Sequence, residues 1–314
     1  MSIIYSQSSG LHDAAIGKLE TPIKMIIENE SDHQKKRGGI CDWLFNVERS
    51  ARFGETIVGQ NEFDVFSATE EGAGAEGDGV AADARRRAEN FSRAYYKTMH
   101  KICEYALANA TAKTGSFAKA SLDLSSPDGL PLFSSAHKYG LDGKGGTQSN
   151  YFFGDILSST EAFERGLALL ASKIRNMKDE NGDVLGYTAD TIILPGNRPA
   201  AETIVKKVCG SEGALGNGYN DINIHYGNWN IVVMPDWQTT DDRVMIMSSE
   251  ANKNLGGNMF YNRVPLTVSN WVDHHTGNYL WCGRCRFGIG FGSYKHILLA
   301  VGSTTEVSGA TAIA

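Results

Sequence analysis

Common catalytic machinery leaves short signatures, and this sequence has none of them: no G-x-S-x-G elbow, no Walker A loop and no H-E-x-x-H pair occurs in its 314 residues. It also lacks any run approaching the roughly 18 continuous apolar residues of a membrane-spanning helix. Met1 to Gly10 shows no basic leader, apolar stretch or small-residue cleavage site, so neither a span nor a signal peptide is expected. Basic charge is not in excess. Thirty Lys and Arg against 36 Asp and Glu leave a formal charge of −6, which argues against a protein whose main task is to neutralise phosphates. The densest basic run, Arg85-Arg86-Arg87, reads as a solvated face or a subunit contact. Cysteine is sparse and odd in number (Cys41, Cys103, Cys209, Cys282, Cys285), which fits thiols kept reduced in a cytoplasm and buried as small hydrophobes. No internal repeat is present.

Glycine, by contrast, is abundant at 35 residues, and it clusters, which predicts sharp turns and close backbone packing in particular segments. Residues 1–42 show no sustained core-helix periodicity and read as an arm lying along a surface. From 46 to 82 the chain reads as extended, with Phe53, Ile57, Phe63, Val65 and Phe66 among polar residues, then as the acidic tip EEGAGAEGDGV. A hairpin of this kind is marginal in water without a surface beneath it, so a neighbouring copy is expected to cover it. Ala84 to about Lys113 turns helical, with Phe91, Tyr95, Met99, Ile102 and Ala106 on one face and Gly115 as the stop. A second helix follows, with Ser158 and Glu161 spaced as a capping box and Phe163, Leu167, Leu170, Ile174 and Met177 as its apolar stripe. Thr191–Leu194 reads as a buried strand, and Pro199 opens a third helix. Strands are expected at 230–234, 244–247, 265–272, 279–292 and 297–301, and the residues after Gly302 as a mobile tail. The class is α+β.

Three patterns invite a chemical reading. Trp281-Cys282-Gly283-Arg284-Cys285 resembles a thioredoxin-type Cys-x-x-Cys, which needs its first cysteine at a helix amino terminus to lower the thiol pKa. Here the flanking residues alternate as a strand, on which i and i+3 point to opposite faces. Only a turn at Gly283 would bring Cys282 and Cys285 together. His274 and His275 precede them, but adjacent histidines in a turn do not easily converge on one tetrahedral zinc ion. Gly72-Ala73-Gly74-Ala75-Glu76-Gly77 matches G-x-G-x-x-G formally, yet Glu70, Glu71, Glu76 and Asp78 would surround a pyrophosphate with like charge. No catalytic, cofactor-binding or metal-binding residue is therefore assigned, and no cofactor is expected.

The ordered series DGLPLFSSAHKYG (128–140), GGTQSNYFFG (145–154), the helix-turn-strand run 157–205, and NDINIHYGNWNIVVMPDW (220–237) resembles the major capsid proteins of tailed bacteriophages, whose fold is shared with the herpesvirus shell. The resemblance implies an amino-terminal arm (1–42), an extended loop (43–82), a peripheral domain with a long spine helix (83–125 and 259–302), an inserted axial domain (126–258) and a flexible tail (303–314). It further implies a non-enzymatic shell subunit that assembles with itself into hexamers and pentamers. Scaffolding, portal and decoration proteins would be its partners, packaged DNA would be touched non-specifically at most, and no membrane is involved. The chain would reside in the virion after assembly in the host cytoplasm. Some members of the family weld subunits through an isopeptide bond from a lysine in the extended loop, but residues 46–82 contain no lysine. An encapsulin-like compartment shell and a Cys-x-x-Cys redox or zinc protein are the alternatives.

Overall fold

The computed structural model describes residues 25–48, 61–67, 78–118, 120–140, 144–210, 223–272 and 279–313; the side chains of 48, 61–67, 78–85, 87, 270–272 and 279–282 lie outside that description. Its helices are α1 (25–37), α2 (Ile40–Leu44), α3 (Asp78–Ala108), α4 (Thr160–Arg175), α5 (Pro199–Gly210) and α6 (Ser249–Asn254). The strands run β1 (Asn46–Glu48), β2 (Asn61–Ser67), β3 (Thr114–Phe117), β4 (Ala120–Asp123), β5 (His137–Tyr139), β6 (Gly146–Gln148) and β7 (Tyr151–Gly154). After these come β8 (Thr191–Pro195), β9 (Asn230–Met234), β10 (Arg243–Met247), β11 (Asn258–Val272), β12 (Tyr279–Phe291), β13 (Ile297–Gly302) and β14 (Thr311–Ala312). Two compact units emerge. One comprises Met1–Gly39, Glu62–His100 and Asn262–Phe287; the other comprises Ile40–Asn61, Lys101–Tyr261 and Gly288–Ala314.

The larger unit is organised by a mixed six-stranded sheet in the order β14-β7-β13-β10-β8-β9. Alternate residues of its strands (Phe152, Ile192, Leu194, Val244, Ile246, Leu298, Ala300) form one core with α4 and α5. The intervening residues Ile193, Met245, Met247, Leu299 and Val301 are also buried. Both faces are covered, which is why these strands read as near-continuous apolar runs rather than alternating ones. The expected stripe of α4 (Phe163, Leu167, Leu170, Ile174, Met177) is buried against this sheet. Its cap is Ser159 rather than Ser158: the Ser159 backbone is extended, and its hydroxyl accepts the Ala162 N–H at 3.1 Å.

In the smaller unit, α1 lies against α3. The hydroxyls of Ser31 and Ser92 are 2.8 Å apart, and Arg93 Nε donates to Glu30 at 2.8 Å. This corrects the expectation of an arm without helix over the first forty residues. The helix escaped detection because its sequence offers a single buried apolar side chain, Ile27, and polar contacts hold the rest. Helix α3, 31 residues long, spans about 46 Å. Its buried positions Ala88, Ser92, Tyr96, Met99, Cys103 and Ala106 keep the helical period. It ends at Ala108, so Gly115 is not its stop. Gly115 lies in β3, where a Cβ would stand 3.1 Å from both Leu124 and Tyr105.

Three further expectations change. The extended stretch is not a free-standing hairpin: β1 pairs in parallel with β11 (Asn46 with Met259 through Glu48 with Tyr261), and β2 lies beside β12 in the order β1-β11-β12-β2. Its acidic tip and Phe53 and Ile57 lie outside the described residues. Strand β13, placed in the peripheral domain by sequence, is instead central to the six-stranded sheet. The tail is not free either: β14 adds to the sheet edge with Thr311 opposite Phe152, and Ile313 N–H donates to Phe153 O at 2.9 Å. Small, polar residues hid this, because the backbone makes the pairing and Ile313 adds a side chain packed against the core. Replacing Leu167, fully buried under the sheet, with Ala should cost about 2–5 kcal/mol in urea unfolding; a loss below about 1 kcal/mol would show that α4 is not part of the core.

Candidate functional site

Cys285 and Gly283 lie within β12, an uninterrupted strand from Tyr279 to Phe291, and Cys282 belongs to the same strand. Gly283 makes no turn: it lets the Phe91 ring pack directly on the strand, where a Cβ would overlap that ring. Cys285 is buried and carries no disulfide. The two cysteines therefore lie on one continuous strand with no turn between them. His274, His275 and the glycines at 72–77 lie outside the described residues. Among the described residues no group of three or more His, Cys, Asp or Glu side chains converges as for a metal ion, and no helix is long and apolar enough to cross a membrane.

What the structure does bring together is a buried polar brace built from the segments 128–140 and 145–154. Asp128 Oδ2 lies 2.6 Å from His137 Nδ1, and Asp128 Oδ1 accepts the Ser126 hydroxyl at 2.5 Å. His137 Nε2 faces the Leu132 carbonyl at 3.1 Å, and the imidazole stacks on Tyr294 with centroids 3.7 Å apart and planes 3° from parallel. Asn150, fully buried, donates from Nδ2 to the carbonyls of Leu132 (2.7 Å), Tyr294 (3.2 Å) and Ile297 (3.3 Å), and its Oδ1 accepts the Ser134 N–H at 2.9 Å. Gln148 donates to the Tyr294 hydroxyl at 2.8 Å, and that hydroxyl donates to Lys138 O at 3.0 Å. Burial opposes ionisation of Asp128, but the hydrogen bonds from His137 and Ser126 outweigh it and hold the carboxyl down at about 2. A Ser-His-Asp set is present by composition, yet it cannot work as one. The serine bonds the carboxylate rather than the imidazole, and both ring nitrogens already face acceptors. The brace is a fastening between loops and sheet.

A second polar fastening joins α2, α6 and the start of β11. Asn258 Nδ2 donates to Leu44 O at 3.0 Å, and its Oδ1 accepts from His296 Nε2 at 2.9 Å. Asn252 Oδ1 accepts the Asn258 N–H at 2.7 Å. His296 is fully buried, and that burial pushes its pKa down to about 3, so the imidazole is neutral.

An open groove of about 560 Å³ runs beside the end of α3, lined among others by Lys101, Tyr105, Phe117, Gln238 and Arg243. Beneath it Glu104, 4% exposed, accepts the Asp236 N–H at 2.7 Å. Burial, and then the neighbouring Asp236 carboxylate, raise its carboxyl to about 7, against the pull of the Asp236 N–H and Lys101. Elsewhere the surface leaves large apolar side chains in water, notably Trp43 (57% exposed), Val47, Val184, Ile224 and Tyr226. Sequence reasoning missed Glu104, Asn150 and His296. For the last two the signal would have been polar residues set inside apolar strand or loop segments; for Glu104 it was its place on the buried side of α3.

No protein-family model matches the chain, and no curated protein does. Solved structures do. A phage-related protein from Bordetella bronchiseptica RB50 is similar at a TM-score of 0.50 and 8% identity, over 88% of this chain and 96% of that one. The capsid of an empty GTA particle is similar at a TM-score of 0.44 and 11% identity, over 84% and 89% of the two chains. The capsid of Myoviridae phage XM1 follows at 0.42 and 14%, over 78% and 74%. The first of these shows that the chain shares the fold of the phage-related protein.

Two outcomes are expected from the site. Asn150→Ala removes the amide bonded to three carbonyls and one N–H, of which the Leu132 carbonyl still faces His137 Nε2, and should cost about 2–4 kcal/mol in urea unfolding; a loss under about 0.5 kcal/mol would dismiss the brace. For Glu104 the folded pKa lies above the ordinary 4.5. Between about 4.5 and 7 the native state therefore holds a proton that the unfolded chain has released, and stability falls as pH rises through that window. Glu104→Gln should flatten this slope and stabilise the protein above pH 7 by about 1–2 kcal/mol, discounted from about 1.4 kcal/mol per pH unit because water reaches the groove. Parallel stability-pH curves for the two proteins would refute the assignment.

Proposed function

We propose that this chain is a major capsid subunit that assembles with copies of itself into the icosahedral shell of a tailed phage. The observation that carries this is the fold shared with the Bordetella phage-related protein across nearly the whole of both chains. It is read together with the ordered capsid-like segments at 128–140, 145–154, 157–205 and 220–237. In this reading the six-stranded unit is the axial domain, and α3 with the long strands β11 and β12 forms the peripheral one. Residues 43–82 contain the extended loop that reaches a neighbour. Large apolar side chains left in water, Trp43 and Ile224 among them, are what a subunit presents before its contacts are made. Hexamers and pentamers are the assembly units, with scaffolding, portal and decoration proteins as partners and DNA inside. The subunit resides in the virion and is assembled in the host cytoplasm. With no lysine in residues 46–82, the loop holds by packing and charge pairing rather than by an isopeptide weld.

Electron microscopy of the concentrated protein should show uniform shells, pentamers or hexamers; a monomer that persists under every condition would defeat the proposal. Phe63→Asp or Phe66→Asp should weaken assembly at least tenfold while circular dichroism shows a folded monomer. If either change unfolds the monomer instead, that stretch belongs to the subunit's own core.

A further inference from the structure

Among the described residues, two cysteines meet. The thiols of Cys41 on α2 and Cys103 on α3 are hydrogen-bonded to each other, although 61 residues separate them in the chain. Both are fully buried and neither is oxidised. The approach is prepared by the backbone just upstream. Gly38, at a φ of +65°, ends α1, and Gly39 lies directly against the His100 ring, where a Cβ would overlap the imidazole. Two residues beyond Gly39 stands Cys41, and about one turn beyond His100 stands Cys103, so one close contact leads into the other. Ile40, Leu44, Ile102 and Leu107 are buried around them. The remaining described thiols are committed elsewhere, Cys209 to the core between α5 and the sheet and Cys285 to β12.

We propose that Cys41 and Cys103 form a latent disulfide whose closure ties off residues 42–102 as a covalent loop and fixes the base of the extended stretch to α3. The pairing needs a two-electron acceptor. With an azodicarboxamide such as diamide, the two thiols give up two protons and two electrons, one S–S bond forms, and the N=N double bond is reduced to the hydrazine, which takes both protons. Burial, and after it the hydrogen bond that the Cys103 thiol donates to Cys41, pushes Cys103 well above its ordinary range, so thiolate is scarce in the closed structure. Oxidation is therefore slow, limited by local opening, and once formed the bond is shielded from reductants. This makes the pair a one-way lock rather than a rapid sensor.

The pairing is tested on the dispersed full chain, so its failure is separable from a failure of the shell reading. Native protein is treated with diamide. In a second arm it is held in a glutathione redox buffer with urea below the unfolding transition, which supplies the opening, and the urea is then removed. The expected product runs faster on a non-reducing denaturing gel, yields a proteolytic fragment joining the Cys41 and Cys103 peptides, and reverts with dithiothreitol. Its melting temperature should rise by on the order of 5 °C, because closing a long loop restricts the unfolded chain. C209S should retain the product, and C41S and C103S should lose it. Alkylation that finds both thiols still free in both arms, or a bond joining either of them to a different cysteine, would overturn the proposal; so would pairing that lowers the melting temperature, since the two Cα atoms would then lie outside disulfide range.

Discussion

A sheet buried on both faces can tolerate few unpaired polar groups, and the organisation of the larger unit follows from that constraint. Strands β8, β10 and β13 offer apolar side chains above and below; α4 and α5 cover one side, and the loop at Leu132 is fastened to β13 through Asn150. Loops are poor covers, because each residue brings an N–H and a carbonyl that lose water on burial. The Asn150 amide answers this by satisfying three carbonyls and one N–H from a single side chain. Asp128, His137 and Tyr294 extend the same solution, and Asn252, Asn258 and His296 repeat it where α2 and α6 meet the start of β11. Most of the polar atoms in these clusters are committed to one another or to the backbone around them. Residue types familiar from enzyme sites here do the work of fasteners.

Much of this was legible in the sequence where side-chain pattern and local structure agree. The stripe of α4, the uninterrupted apolar run of β8 and the strand positions of β9, β10, β12 and β13 all follow from periodicity, and the structure places them where the pattern does. On sequence grounds the Cys-x-x-Cys reading hung on a turn at Gly283, and the continuous strand β12 has none there. Elements held by backbone or by polar contacts left no such trace. Helix α1 buries one apolar side chain, and β14 is joined to the sheet through its main chain. The pairing of β2 with β12 was invisible for another reason: it joins residues more than two hundred apart, which no local pattern reports.

The same distinction applies to the brace. The segment 128–140 stood out in sequence as one of the capsid-like runs, but the reason for its residue types did not. Asp128 and His137 are nine residues apart, and their partner Tyr294 lies far downstream. A polar residue chosen to satisfy another segment's carbonyls cannot be told from an ordinary loop residue until the fold supplies those carbonyls.

Glu104 has a thermodynamic consequence beyond its own stability. A chain that folds near neutrality with this carboxyl titrating at about 7 must draw a fraction of a proton from solution as it folds. Such a group is buffering capacity fixed to the protein itself. The heat of folding would then depend on the ionisation enthalpy of the surrounding buffer, so calorimetry in phosphate and in Tris would record different enthalpies for the same structural change.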